Sequence, residues 1–431
     1  MKPLQTLTSS HLTKRFSDLK WRFLLLFVMP ISLLLFFFIA STGGGVFAEN
    51  NPFWRFRYLN NLKSLKFFFD NPMRLVNANN PNVTVTELKR SRIAVCLVGG
   101  ARRFEVTGPS IVEKVLVEYP NADLFVNSPL DNNSYKFSVL KSAPRIAAVR
   151  IFTPVELPES ETAARVLTAN NSPKGIQGLL QYFNLVEGCL TMIKSYQQHN
   201  NFTYNWIVRT RVDGYWSNPL RPDLFIPGHY VVPSGSSYNG LNDRFGVGDF
   251  NTSVAALSRL SMLPELDSAG FHELNSESAF QAQLKLRNVS YLTKRIPFCI
   301  VSDRMYEFPP KRFGVPVADI ASKGPLSGVK CRPCTSVFST RWAEAVVNGL
   351  DRQWSWTESA NGTLRLCDGH GEWEHGWETL FDKVAGKKLA AVRKRVSGLS
   401  FERCVEDFEK MRRRSSVWDA PHTAELCQPV R

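Results

Sequence analysis

The chain has 431 residues and a formal net charge of +15, with 53 Lys plus Arg against 38 Asp plus Glu. A hydrophobic share of 44% excludes wholesale disorder, and 26 Gly with 25 Pro excludes collagen-like and Pro/Gly-tract compositions. Eight Cys are too sparse for a disulfide-built mini-fold, so the length suits one large domain or two smaller ones with a sizeable core.

Phe23 to Ala48 contains no charged residue, and its first part, Phe23 to Ala40, is almost purely Leu, Phe, Ile, Val and Met. A bilayer helix needs about 20 mainly apolar residues and tolerates interruptions such as Pro30 and Ser32. Lys2, Lys14, Arg15, Lys20 and Arg22 precede the run against one acid, Asp18. By the positive-inside rule this predicts a cytosolic tail over 1–22, a signal anchor over 23–40 and a luminal remainder. A cleaved signal peptide ending at Val46-Phe47-Ala48 is the competing reading, and the length of both the apolar run and its basic flank favours the anchor. Gly43-Gly44-Gly45 lacks the Gly-Lys-Ser/Thr of a phosphate loop.

Asn82, Asn132, Asn170, Asn201, Asn251, Asn288 and Asn361 each begin an Asn-x-Ser/Thr sequon, which fits glycosylation in a lumen. There the cysteines can pair. Cys331-Arg-Pro-Cys334 with Cys367 and His370 has the spacing of a zinc site. In an oxidising compartment, disulfides among Cys331, Cys334, Cys367, Cys404 and Cys427 are the favoured expectation. Cys404 and Cys427 read as a pair that pins the C-terminal tail.

Residues 41–90 show no sustained period and suit a stem, with order expected from Arg92. Ile93 to Val98 is a buried strand ending at Gly99-Gly100. Pro109 is expected to open a helix carrying Ile111, Val112, Val115 and Leu116, and Asp123 to Asn127 is a second strand. Ser172-Pro173 reads as a helix start, with Ile176, Leu179, Leu180, Phe183, Val186, Leu190 and Ile193 at helical spacing. Asn205 to Arg211 is a strand running into Val212-Asp213-Gly214, and His229 to Val232 is another. Ser276 caps a helix to Leu286, and Phe298 to Val301 is a last buried strand. This order of strands and helices predicts an α/β fold with a mainly parallel sheet over 91–330. Residues 331–431 read as a cysteine-containing helical extension packed on it, with helices at 340–350 and 374–384 and a final one through Phe401, Val405 and Phe408.

The most informative stretch is Arg209-Thr210-Arg211-Val212-Asp213, because open α/β sheets bind ligands at the carboxyl ends of strands. An acid there can hold a divalent metal that clamps a diphosphate, and arginine can neutralise phosphate directly. A structural ion pair among Arg209, Arg211 and Asp213 is the competing reading. Gly99-Gly100-Ala101-Arg102-Arg103 lets backbone approach a ligand and offers Arg to a phosphate or base, yet it is not a dinucleotide fingerprint. Asn242 to Gly248 reads as a polar-to-Gly loop. Glu277, at a helix start, is either a helix-dipole partner or a base for an acceptor hydroxyl. No Gly-x-Ser-x-Gly elbow, His-Glu-x-x-His or Walker motif occurs. Dispersed positive charge in a lumen excludes a nucleic-acid partner and suits a nucleotide-diphosphate donor or an acidic polysaccharide.

The blocks R-I-A-V-C-L-V-G-G-A-R-R-F (92–104), A-D-L-F-V-N-S (122–128), Y-N-W-I-V-R-T-R-V-D-G (204–214), N-D-R-F-G-V-G (242–248) and N-S-E-S-A-F-Q-A-Q-L (275–284) occur in order. Together they resemble uncharacterised plant Golgi-type proteins with a glycosyltransferase-like domain. They are also similar to bacterial polysaccharide and lipopolysaccharide glycosyltransferase-like sequences. The resemblance implies a GT-A-like nucleotide-sugar fold in a single-pass type II Golgi membrane protein. It implies a nucleotide-sugar donor, a glycan acceptor, and Mn2+ or Mg2+ as cofactor. By the same resemblance Arg102 or Arg103 sits by the nucleotide, Asp213 takes the metal and diphosphate position, Asp243 lines the acceptor side and Glu277 is the base. The family's Asp-x-Asp is not kept, since Arg211 stands where the first acid belongs. A non-catalytic glycan-binding or scaffold protein on the same fold is the alternative.

Overall fold

Alternation along one strand organises the molecule. The computed structural model describes residues 83–170, 172, 174–307, 315–337 and 365–430, all within one unit of the chain, Asn77–Arg431. In β1, Ile93–Val98, every residue is buried. Ile93, Val95 and Leu97 join one core, while Ala94, Cys96 and Val98 join another. A strand apolar on both faces belongs inside a parallel sheet covered on both sides.

Order begins before Arg92. Helix α1, Val85–Arg90, lies in the segment read as stem, closed by a reciprocal Thr84–Glu87 cap and anchored by buried Leu88. Helix α2, Phe104–Ile111, starts five residues before the expected Pro109 and runs into a wider turn over Val112–Leu116. All of its residues are buried, and Phe104 packs 4.9 Å from Phe137. That packing outweighs the backbone hydrogen bond lost at Pro109. β2, Ala122–Pro129, and β3, Ile146–Phe152, follow. Short helix α3, Glu161–Val166, leads to α4, Gly175–Asn200. The expected apolar series from Leu179 to Ile193 is buried there, but Ser172 does not cap the helix. Its hydroxyl donates to the Gly175 carbonyl, and Lys174 stands at the cap.

The chain continues through β4 (Trp206–Arg211), β5 (Gly214–Trp216), β6 (His229–Pro233), β7 (Phe245–Asp249), α5 (Phe250–Leu257), α6 (Leu263–Ser268), α7 (Ser276–Leu286), β8 (Ser290–Lys294), β9 (Phe298–Val301), β10 (Val317–Asp319) and β11 (Lys330–Arg332). Helices α8 (Trp377–Ser397) and α9 (Phe401–Arg414), strand β12 (Ser415–Asp419) and α10 (Thr423–Leu426) complete it. The large sheet has the order β12-β3-β2-β1-β4-β7-β6-β8, parallel from β12 to β4 and antiparallel around β7. A smaller sheet has the order β10-β11-β9-β5. The α/β class with a mainly parallel sheet is therefore as expected.

Other expectations need correction. The stretch 242–248 is not simply a loop, because its second half belongs to β7, an interior strand of the large sheet between β4 and β6. Its glycines make room: a Cβ at Gly246 would lie 2.3 Å from the Tyr230 hydroxyl, and one at Gly248 would lie 2.4 Å from Thr252 Oγ1. Disulfides are the favoured expectation over zinc, and Cys331 pairs with Cys299 and Cys334 with Cys367. Cys404–Cys427 closes the tail as expected, and Cys96–Cys189 ties β1 to α4. Helix α8 is longer than expected and breaks at Gly386, whose φ is +79°. Position 330, the expected boundary, begins a strand. β12 extends the main sheet beside β3, and Cys404, Phe408 and Met411 of α9 enter the same core as Val95.

The tail over 1–22, the anchor over 23–40, most of the stem, the 340–350 helix, Asn82 and Asn361 lie outside the described residues. Among the described residues no helix is long and apolar enough to cross a membrane.

Gly246→Ala is expected to cost about 1–3 kcal/mol through overpacking against Tyr230. Thermal melting followed by circular dichroism checks this, and an unchanged midpoint would contradict the strand assignment.

Candidate functional site

β1 and β4 are parallel neighbours with Val98 opposite Arg211, so the turns leaving their carboxyl ends lie side by side. Gly99 in the first turn has φ +122°, and a Cβ there would sit 2.9 Å from Val212 Cγ2 in the second. Only glycine lets the two turns meet this closely. Thr107 of α2 fixes the second turn by donating to the Val212 carbonyl at 2.6 Å. Arg102 takes φ +24°, uncommon for a residue with a side chain. Its carbonyl accepts from Lys136 Nζ at 2.5 Å.

Asp213 is the acid at this edge and is 5% exposed. Arg211 grips it with both arms, Nε to Oδ1 at 2.8 Å and Nη2 to Oδ2 at 2.7 Å. Arg102 Nη1 lies 4.0 Å from the same Oδ2, with its side chain largely exposed. Burial alone would raise the Asp213 carboxyl, but the charge and hydrogen bonds of Arg211, with Lys330 and Arg102, hold it below the usual carboxylate range. Lys330, at the start of β11, is half-buried. Burial, then the charges of Arg244 and Arg211, push its ammonium well below an ordinary lysine, against the pull of Asp213.

The other expected site residues separate from this pair. Arg103 turns away: its Nε donates to Asp303 Oδ1 at 2.6 Å, and its guanidinium stacks 4.3 Å from the Trp373 ring. Arg209 shares the α4 side of the sheet with Arg211 but is 3% exposed and tied inward. It donates to the Tyr182 hydroxyl at 2.8 Å and to the Asp243 carbonyl. The Asp243 carboxylate accepts from Ser276 Oγ and, at 3.4 Å, from Arg259 Nη2. Burial would raise it, but Arg259, Arg209 and the Ser276 hydrogen bond hold it down.

Glu277 stands in the first turn of α7, whose start is capped reciprocally by Asn275 and Ser278. Burial first, and then the neighbouring Asp243 charge, push its carboxyl up to about 7, against the pull of Arg244 and Arg259. Arg244 links the two halves of the site. Its Nη1 donates to the Gly328 carbonyl at 2.8 Å, and its charge acts on both Lys330 and Glu277. Sequence reasoning missed Lys330 and Arg244. A lone Lys at a strand start reads as solvated, and nothing local marks its long-range neighbours.

Beyond Glu277, the outer face of α7 carries a cavity of about 560 Å³ lined by Asn239, Ser278, Gln281, Lys285, Asn288 and Tyr291 among others. Neither Glu277 nor Asp213 nor Arg211 lines it. Five sequon asparagines, Asn132, Asn170, Asn201, Asn251 and Asn288, are exposed.

Residues 88–430 match the family described as "Domain of unknown function (DUF7796)", and the chain belongs to that family. No curated protein matches. Among solved structures, the apo form of mouse xyloside xylosyltransferase 1 is similar at a TM-score of 0.30 and 12% identity, over 47% of this chain and 84% of that one. So slight a superposition says nothing of substrate or activity.

A carboxyl whose folded pKa is raised binds more protons in the folded than in the unfolded chain between the two values. Glu277 therefore lowers stability as pH rises from its ordinary 4.5 to about 7, and no further above that. Glu277→Gln should melt higher than wild type at pH 8 and level with it at pH 4. Melting curves at both values check this, and an equal gap at both would contradict it.

Proposed function

We propose that the chain is a glycosyltransferase that binds a nucleoside-diphosphate sugar at the carboxyl edge of β1 and β4. The observation that carries this reading is the convergence there of Arg102, Arg211 and Lys330 around one buried acid, Asp213. Such an edge is where an α/β sheet offers a ligand crevice. Arginine and lysine recognise phosphate through charge-assisted hydrogen bonds. The sugar is transferred to a glycan hydroxyl that approaches Glu277 at the start of α7.

In the transfer, the acceptor oxygen bonds to the anomeric carbon as the bond from that carbon to the phosphate oxygen breaks. The nucleoside diphosphate leaves with the electron pair. The acceptor proton goes to the Glu277 carboxylate, whose raised pKa suits a base near neutral pH. Asp243 in this reading is a positioning residue, holding Ser276 and Arg259 beside the base. A secretory setting, as a type II Golgi membrane protein anchored through 23–40, belongs to the same proposal. All eight cysteines are paired, which supports an oxidising compartment, and the exposed sequons support the same reading.

Calorimetry of the full chain against a panel of UDP- and GDP-sugars tests this. One donor should bind, and Arg102→Ala should weaken it by roughly ten- to a hundredfold, the loss of a hydrogen bond to a charged group. Because Arg102 is exposed, the melting point should not move. Glu277→Gln should keep donor binding and lose transfer. A chain that binds no donor of the panel, or an Arg102 variant that binds as wild type does, would overturn the reading.

A further inference from the structure

The cation implied by the family resemblance can be tested against the residues present. Mn2+ or Mg2+ takes several oxygen ligands. Both oxygens of Asp213 are already engaged by Arg211, and the position two residues before it carries a guanidinium instead of a second acid. Among the described residues no group of three or more His, Cys, Asp or Glu side chains comes together to hold an ion. These residues do not fit a divalent cation.

Their surplus has the opposite sign. Gly214, Ile300 and Lys330 stand in register across β5, β9 and β11. With strands about 4.8 Å apart, Lys330 lies about 10 Å across the small sheet from the chain that follows Asp213. The Val301 amide donates to the Asp213 carbonyl at 2.8 Å, which fixes the acid to the same sheet. Arg244 is anchored two residues before Lys330, on the Gly328 carbonyl. Among the described residues no hydrogen bond or ion pair engages the Lys330 ammonium, and its charged surroundings are Arg244, Arg211 and Arg304 against the single acid Asp213, which Arg211 already engages. A half-buried cation among cations is unfavourable without an anion between them. A merely structural lysine would be paired, as Lys136 is with Glu105 at 2.8 Å.

Resting on the donor-binding reading above, we propose that the donor's diphosphate is held directly by Lys330, Arg211 and Arg102, and that Lys330 supplies the charge a divalent metal would otherwise bring. The diphosphate carries about two negative charges and bridges cations that have no acid between them except Asp213. Its binding is therefore independent of divalent metal. Lys330 is also where the site discriminates, since a neutral or monoanionic ligand leaves its ammonium uncompensated.

Calorimetry with UDP and GDP on the full chain, once in EDTA and once in Mn2+, tests this. The nucleotide that binds should do so equally in both. Lys330→Ala should weaken it by roughly ten- to a hundredfold, while Lys330→Arg keeps most of the affinity. Because no hydrogen bond or ion pair among the described residues holds the Lys330 ammonium, and the repulsion of Arg244 and Arg211 offsets the pull of Asp213, Lys330→Ala should melt close to wild type. Binding seen only with Mn2+ would overturn this inference and leave the donor reading standing. Equal affinity of Lys330→Ala and wild type would also overturn it. Binding in neither buffer would remove both.

Discussion

Parallel pairing of β1 with β4 is the constraint on which the site depends. With Val98 opposite Arg211, the two strands release their chains at one edge, and Gly99 brings the turns within contact of each other. Positive charge then accumulates where burial makes it costly. Arg211 sits over buried Asp213, Arg102 stands in a strained backbone region beside it, and the smaller sheet carries Lys330 towards the same place. One carboxylate cannot balance these groups. On the proposed reading a dianionic ligand there would be held by charges that burial keeps little screened.

A second ionic network lies beside the first and has a different task. Arg209, Tyr182, Asp243, Arg259 and Ser276 are joined by hydrogen bonds in the core between β4, α4 and α7. Removing one partner from such a network leaves a buried charge uncompensated and is strongly destabilising. The network pins the approach to β7 against the start of α7, and so sets where Glu277 stands. Arg209 and Arg211 are two residues apart on one strand and one face, yet the first ties into the core and the second grips the acid at the sheet edge. Their partners decide this, Tyr182 and the Asp243 carbonyl for one and the Asp213 carboxylate for the other.

This contrast shows how far the site was legible in the sequence. The apolar run Ile93–Val98 and the helical series ending at Ile193 could be read directly, because burial on two faces or one stripe leaves a local pattern. Arg211 with Asp213 was legible as a pair, since two opposite charges at a strand end have few other uses. The glycines of β7 were not, because what they accommodate is Tyr230 from the next strand. Pro109 misled because Phe104 and its neighbours are buried strongly enough to start the helix early. Lys330 left no trace, since its meaning lies in a register joining residues 214, 300 and 330. The same holds for β12, which joins the sheet beside β3 from the far end of the chain.

On our proposal the carboxyl edge of β1 and β4 is a phosphate site built from protein cations. The most direct measurement is a crystal structure of the chain grown with UDP or GDP in the presence of EDTA. Diphosphate density is expected between Arg102, Arg211 and the Lys330 ammonium, with the Asp213–Arg211 pair intact. Nucleotide density elsewhere, with that edge holding only water, would contradict it.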